Sequence, residues 1–514
     1  MALKTAPTLF SMSENQSFQR RLNLFDSTAI VVGSMIGSGI FIVSADIARM
    51  VGSSGWLMMV WIISGFMTLI AALSYGELAG MFPKAGGQYI YLKEAYNPLT
   101  GFLYGWTLFL VIQTGTIAAV AMAFAKFTGV LFPWVSESVV WFDLESIRFG
   151  EFDAGLFRVG PMNLGFVKFG PAQLVAIGSI ALLTWINSRG IKSGKKVQNL
   201  FTSGKFILLA AFIVVGLVMA SNLNSIRINS PDFWNPMREG PGGVDIPLSG
   251  MTLLAALGMA MVGGLFSSDA WNNITFTAGE VINPRKNIPL SLFLGTLIVT
   301  ILYLLANVVY ITALPVKGDP GGTDIASRGM QYALNDRLGT AALSGIFGNY
   351  AVIIMAVFIV ISTFGCNNGL ILSGARVYYA MADDGIFFKG VGRLNKKDVP
   401  ATGLLFQGVW ASLLCLSGTY GQLLDYVVFA VLIFYVLTIL GIFILRVRRP
   451  DLSRPYKAFG YPVIPMIYII LALVIMVILF IFKREYTWPG LIIVILGVPV
   501  YFIWAKRKKN LTRL

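Results

Sequence analysis

Asp269 and Lys205 are ionisable residues set in apolar sequence, GLFSSDAWNN and LFTSGKFILLAAF, where a charge has little water to stabilise it. A carboxylate in the middle of a membrane helix costs about 2.5–3.5 kcal/mol on insertion scales and is a functional candidate by default. Around Asp269, the glycines Gly258, Gly263 and Gly264 and the serines Ser267 and Ser268 interrupt the apolar run. A second interruption, SMIGSGIF at residues 34–41, holds Gly37 and Gly39 close to Gly33. Each glycine weakens a helix interior by up to about 1 kcal/mol relative to alanine, so both segments are predicted to break. A broken helix exposes chemistry that an intact one hides. Its restarting half offers free N–H groups and a positive dipole end to an anion, and its ending half leaves carbonyls for a cation. Bland readings stand beside this one. Gly33 and Gly37 fit the small-xxx-small spacing of close helix packing, and Lys205 could snorkel to the interface from a helix end.

The elements that must position these residues belong to a chain of 514 residues, 56% hydrophobic and 12% charged. Soluble domains carry about a quarter charged residues, so lipid is the expected solvent. Apolar stretches of about 20 residues suit a hydrocarbon core of roughly 30 Å. The spans are predicted at 26–50, 54–82, 97–131, 170–188, 197–220, 250–278, 288–314, 343–375, 402–417, 421–446, 460–482 and 487–505. No strand-like alternation is evident, so the predicted fold class is an all-α polytopic membrane protein with twelve transmembrane helices.

The net charge of +15 is read through its distribution. With the N-terminus in the cytoplasm, Lys and Arg in the inner segments outnumber those outside by more than two to one, the positive-inside signature. An even span count also places both termini on one side. The charge then reports orientation, and no nucleic-acid partner is expected. Cys366 and Cys415 fall in apolar segments, so neither a disulfide framework nor a cysteine metal site is indicated. The chain has no histidine, the commonest metal ligand and general base. That argues against a membrane enzyme, and no metal or cofactor is expected. The first span has no small-residue cleavage site and is not a signal peptide.

Breaks in the first and sixth spans occupy the first helix of each of two five-helix sets, the arrangement that marks a transporter site built on inverted repeats. The expected division is a cytoplasmic tail at 1–22, repeats at 23–222 and 223–447, two peripheral helices at 448–506 and a basic cytoplasmic tail at 507–514. The long connections 132–169, 221–249 and 315–342 would lie outside as lids or short interfacial helices.

At SMIGSGIF the sequence resembles the amino acid/polyamine/organocation transporter superfamily, and especially its L-type amino acid transporter branch. SYGELAGMFPKAGGQYIYLKEAY (74–96) is similar to the stretch joining the second and third helices of that branch. GLFSSDAWNNITFTAGEVINPRKNIPLS (264–291) resembles its sixth helix and the Asn-Pro turn beyond, and STFGCNNGLILSGARVYYAMADDG (362–385) its eighth helix. RVRRPDLSRPYK (446–457) is similar to the basic loop after its tenth, so the likeness runs over about residues 22–506. It implies a LeuT-like core of two inverted five-helix repeats, with discontinuous first and sixth helices and two peripheral helices. It also implies a multi-pass plasma-membrane carrier of L-amino acids working by alternating access. Heterodimeric animal members carry a cysteine in the loop after the third helix that bonds a heavy chain. Residues 132–169 contain none, so no disulfide-linked partner is expected.

The resemblance implies a site residue by residue. An amino acid zwitterion needs donors for its carboxylate and acceptors for its ammonium. The carboxylate is assigned to the N–H groups of Ser38 and Gly39 at the Gly37 turn, with the Ser38 hydroxyl. The ammonium is assigned to the carbonyls of Met35 and Ile36 together with Phe266, Ser267 and Asp269. Phe266 would also gate the site, Asn272 would lie near the substrate, and Ile112, Thr116 and Val120 share one helix face toward its side chain. Lys205 resembles the fifth-helix lysine of sodium-independent relatives, whose ammonium occupies the space of a sodium ion. It would link the broken first helix to Ser362 and Thr363 of the eighth, or carry a coupling proton. Glu280 and Glu77 lie near cytoplasmic helix ends, where pairing with Arg285 or Lys84 accounts for them structurally and an inner-gate role is the alternative. Many relatives have an aromatic residue where this chain has Ser268 and a glycine where it has Ala270. The expected function is sodium-independent exchange of neutral L-amino acids. The alternatives are proton symport, a cationic substrate facing Asp269, an amino acid sensor, and a membrane enzyme.

Overall fold

A computed structural model describes residues 18–511 except 145–146, 150–151, 154–157, 160–161, 165–166, 221–223, 241–244 and 417–419. The first seventeen residues of the expected N-terminal tail and the last three of the basic tail lie outside the described residues.

Among the described residues, nine helices are long and apolar enough to cross a membrane, and a bent pair, Leu24–Met35 with Gly39–Val51, makes a tenth. The others in order are Ser54–Met81, Pro98–Leu131, Pro171–Ser188, Ile191–Ala220, Gly250–Ser267, Pro284–Ala313, Tyr350–Asp383, a helix ending at Arg448, and Val463–Phe482. The ninth and twelfth predicted spans correspond to shorter apolar helices, Ala401–Leu414 and Gly490–Lys506. At 1.5 Å per residue, the 14 residues of Ala401–Leu414 fall short of a 30 Å core, so ten of the twelve predicted crossings meet the length criterion.

Local chemistry sets the ends. Asn23 and Asp26 form a reciprocal capping box, which satisfies two of the orphan donors of the first turn. Pro98, Pro171 and Pro284 each open a helix at the position where a missing N–H costs nothing. Gly52 closes the first span in the left-handed conformation, φ 56°, as a helix C-terminus favours. Long helices replace the short predicted ones where the sequence is polar but still helical. The fifth helix starts at Ile191 rather than 197, and the eighth runs to Asp383 rather than 375. The third span contains a π-helical turn at Leu108–Ile112, which the sequence did not signal.

The connections hold more than lids and interfacial helices. The connection after the third span carries nested antiparallel pairs, Phe142–Leu144 with Val167–Phe169 and Ile147–Phe149 with Met162–Leu164, as one extended hairpin. The connection before the sixth span carries a short helix, Ser225–Asn229, and a hairpin of Met237–Glu239 with Asp245–Pro247. This hairpin seats on the turn between the first two spans, where Gly55 N–H donates to the Phe233 carbonyl at 2.7 Å. Inside the bundle, Trp61 donates to Ser44 at 3.0 Å and Ser44 to Asn307 at 2.6 Å. Those bonds tie the second half of the broken first span to the second and seventh helices.

A Cβ added at Gly52 would lie 2.2 Å from the Met237 carbonyl oxygen, at a positive φ. Backbone cannot yield as a flexible side chain can, so Gly52→Val is expected to cost about 1–3 kcal/mol and to lower the thermal midpoint in detergent. Gly178→Ala, whose methyl meets nothing within 4 Å, does not lower it. Differential scanning fluorimetry of the two variants checks this.

Candidate functional site

The first span stops at Met35 and restarts at Gly39, and Ile36 between them is extended, with φ −74° and ψ 99°. The sixth stops at Ser267 and resumes at Asn273. Ala270 in the gap has φ 64°, a left-handed conformation that costs an L-residue about 1–2 kcal/mol. A glycine would adopt this conformation at no such cost. The two breaks meet, since a Cβ added at Gly39 would lie 2.2 Å from Ser267 Oγ. Close packing and exposed backbone therefore share one cause at this glycine.

Carbonyls released by the first break have found donors on three other helices. Lys205 is buried, and its Nζ lies 2.5 Å from the Gly33 oxygen, 2.6 Å from that of Ile36 and 3.4 Å from that of Ser362. The ammonium thus sits at the negative end of the half-helix, where a cation is favoured. Ser362 Oγ donates to the Gly37 carbonyl at 3.0 Å, and Cys366 Sγ to that of Ser34 at 3.0 Å. Thr363 does not join them, because its hydroxyl returns to the Ile359 carbonyl of its own helix at 2.7 Å. Tyr303, which sequence reasoning missed, donates to the carbonyls of both Met35 and Ser267, at 3.0 and 3.1 Å. Its only sequence signal is a polar-tipped aromatic in a span without charges, a residue that seeks a partner when buried.

Beside this junction lies a cavity lined from the sixth span by Asp269, Ala270, Asn272, Asn273 and Phe276. Leu108, Ile112, Gln113 and Thr116 line it from the third, with Tyr435 from the tenth. The π-turn supplies Leu108 and Ile112, in keeping with the frequent use of such bulges at functional sites. Residues 35–39, Phe266, Ser267 and Val120 are not in its lining. The predicted set therefore divides between the junction and the cavity, with Asp269 in the cavity and Phe266 buried in the apolar core.

Asp269 Oδ1 accepts from the Tyr435 hydroxyl at 2.5 Å, and the same two residues also line a second cavity. Tyr435 was not foreseen. Asn272 donates to Gln88 at 3.0 Å, and Gln88 to Thr438 at 3.0 Å, so the sixth-span break is tied to the tenth helix through the stretch between the second and third. Tyr104 Oη and Asn273 Nδ2 are buried without a hydrogen-bond partner among the described residues, as is Ser267 Oγ at the junction. Unsatisfied buried groups call for an explanation. Here they place unused donors in a cavity that also holds a carboxylate, a combination suited to a ligand bearing both charges.

At the end of the bundle that carries the N-terminal segment, the predicted ion pairs are corrected. Glu280 pairs with Arg376 of the eighth helix at 3.0 Å rather than with Arg285, and both side chains are almost wholly buried. Glu77 pairs with Arg446 at 2.6 Å and Arg454 at 3.5 Å rather than with Lys84. Spacing along the chain pointed to local partners, whereas the fold brings basic residues from distant helices. The Glu280 carbonyl also accepts from the N–H groups of Arg21 and Leu22, at 2.7 and 2.9 Å. Lys195 then joins Asp26 at 2.6 Å, which ties the fifth helix to the same segment.

A family model described as amino acid permease matches residues 22–501. The chain is 29% identical over 502 residues to the large neutral amino acids transporter small subunit 2 of Homo sapiens, covering 96% of this chain and 82% of the relative. It is 28% identical over 504 residues to the b(0,+)-type amino acid transporter 1 of Mus musculus, covering 96% and 90%. Identity to the Asc-type amino acid transporter 1 of Mus musculus is 28% over 513 residues, covering 98% and 84%.

Tyr303→Phe removes a hydroxyl that bridges the two breaks and leaves two buried carbonyls without that donor. The expected loss is about 1–3 kcal/mol, divided between a lower melting temperature and weaker substrate binding. Thermal unfolding with and without substrate separates the two.

Proposed function

The chain belongs to the amino acid permease family, and on that premise we propose that it exchanges neutral L-amino acids across the plasma membrane by alternating access, without sodium. The observation that carries the proposal is the Lys205 ammonium, 2.5 and 2.6 Å from the carbonyls at the broken end of the first helix. A fixed cation there satisfies the carbonyls that a metal cation would otherwise coordinate. The substrate carboxylate is assigned to the N–H groups of Ser38 and Gly39, at the N-terminus of the restarting half-helix. Its ammonium is assigned to the carbonyls of Met35, Phe266 and Ser267, each of which has a second lone pair. The Ile36 carbonyl, which also accepts from Lys205, and the Asp269 carboxylate are further candidates for the ammonium, and that of Gly37 accepts from Ser362.

The side chain of the substrate is assigned to the cavity lined by Ile112, Thr116 and Asn272, with Phe266 as the gate above it. Glu280, held by Arg376, closes the cytoplasmic end. In this reading both termini are cytoplasmic, residues 23–222 and 223–447 are the inverted repeats, and no disulfide-linked heavy chain is needed. The chain is a secondary active transporter and not an enzyme. A second reading, a cationic substrate, is favoured by one observation, the Asp269 carboxylate facing the same cavity.

Proteoliposomes loaded with labelled leucine are expected to release it only when an amino acid is supplied outside, equally with sodium or potassium. Uptake into empty vesicles driven by a pH gradient alone would replace exchange with proton symport, with Lys205 as the proton carrier. Arginine competition tests the second reading. If Asp269 meets the substrate side chain, Asp269→Asn raises the inhibition constant of arginine about tenfold or more, ~1.4 kcal/mol, while that of leucine changes little.

A further inference from the structure

Two cytoplasmic segments in this reading, 188–196 running from the end of the fourth helix into the first turns of the fifth and 389–400 between the eighth and ninth, are far apart in sequence and adjacent in the fold. Asn395 Nδ2 donates to the Ser188 carbonyl at 2.8 Å, and a Cβ added at Gly190 would meet Lys397 Cβ at 3.6 Å. The two segments joined by this contact carry six exposed cations, Arg189, Lys192, Lys196, Arg393, Lys396 and Lys397. Among the described residues none of the six has a carboxylate partner within ion-pair distance, although Lys195 in the same stretch is paired with Asp26. Arg189 is held in place by its own helix, its guanidinium 3.9 Å from the centre of the Trp185 ring.

The helices that lead into this patch are packed together, for a Cβ added at Gly408 would lie 2.9 Å from Thr184 Oγ1. Their outer faces are apolar and exposed. Leu174, Leu182 and Trp185 lie along the fourth helix, and Leu405, Val409 and Leu413 along the ninth. These residues recur at helical spacing and form one lipid-facing wall that ends at the cations. A soluble anion would be bound by the cations alone. Only a lipid could place acyl chains on the wall and a phosphate on the patch together. Basic clusters immediately cytoplasmic of membrane helices suit such headgroups.

We infer that the exposed apolar face of the fourth and ninth helices is a binding site for an anionic glycerophospholipid, whose headgroup phosphate bridges the 188–196 and 389–400 segments. The bridge has a structural consequence. The first segment includes the opening turns of the helix whose Lys195 and Lys205 hold the first half-helix, and the second follows the helix that carries Arg376. A bound headgroup fastens these two helices together at the end where Glu280 and the N-terminal segment meet.

The test compares the full-length protein with a variant carrying Lys192→Gln, Lys196→Gln, Lys396→Gln and Lys397→Gln, all exposed positions outside the site already described. Spin-labelled phosphatidylglycerol and phosphatidylcholine are measured separately by electron paramagnetic resonance in proteoliposomes. The wild type should immobilise at least twofold more phosphatidylglycerol than phosphatidylcholine, and the variant should immobilise the two equally. Short-chain phosphatidylglycerol should raise the melting temperature of the wild type in detergent, as a ligand of the folded state does, and leave that of the variant unmoved. Equal immobilisation of both lipids by the wild type, or unchanged selectivity in the variant, overturns the inference. Displacement of phosphatidylglycerol by inorganic phosphate, beyond that by chloride at the same ionic strength, would show a site for a free phosphate and overturn the lipid assignment. Neither readout depends on transport, so the result stands apart from the proposed exchange.

Discussion

A peptide group in lipid has no water to bond to, and the architecture follows from how this chain manages the groups it strands. Breaking the first helix between Met35 and Gly39 releases carbonyls that would each cost several kcal/mol if left unpaired. Four other side chains meet that demand, Lys205 from the fifth helix, Tyr303 from the seventh and Ser362 and Cys366 from the eighth. The break is thus a hub that fixes three helices around it. Lys205 is the member that also supplies charge, and its place at the negative end of a half-helix makes a buried ammonium tolerable.

The same logic runs toward the end that carries the N-terminal segment. Polar side chains on one face of the fifth helix, Lys195, Gln198, Thr202 and Lys205, reach successive backbone or carboxylate oxygens of the N-terminal segment from Arg21 to Ile36. The half-helix before the break is therefore hydrogen-bonded along its length to the fifth helix, while the seventh packs against it at Gly295 and Val31 and bonds Met35 through Tyr303. Beyond the break, Tyr310 donates to the Ile40 carbonyl at 3.1 Å and Ser44 bonds Asn307, so the seventh helix supplies hydrogen bonds to both halves.

Asp269 meets a different constraint. It lies in the gap of the sixth helix with the Tyr435 hydroxyl as its side-chain hydrogen-bond partner, and it faces two cavities. A carboxylate so placed is poorly compensated by the protein itself, and a ligand that brings positive charge completes it. The buried Glu280–Arg376 pair is the contrary case. There each charge has its partner, and the neighbouring backbone joins the contact to the N-terminal segment.

Much was legible in the residues themselves. Helical type, the approximate spans and the two break points follow from hydrophobic run length and from clustered glycine and serine, which act locally and need no partner to be recognised. Asp269 and Lys205 stood out because charge in an apolar run is costly wherever it lands. Partners could not be read in the same way. Tyr303, Tyr435 and Arg376 lie 36, 166 and 96 residues from Ser267, Asp269 and Glu280, and as single polar residues on apolar helices they carry no local signal of the partner they take. Only tertiary packing decided which helix faces met, and with them that Thr363 turns back on its own helix, that Ala270 takes a left-handed conformation, and that the cavity opens beside the junction of the two breaks. The chain by itself determined where the backbone must fail to be helical; the fold decided which side chains would answer for it, because hydrogen-bond satisfaction depends on distances in space that sequence separation does not record.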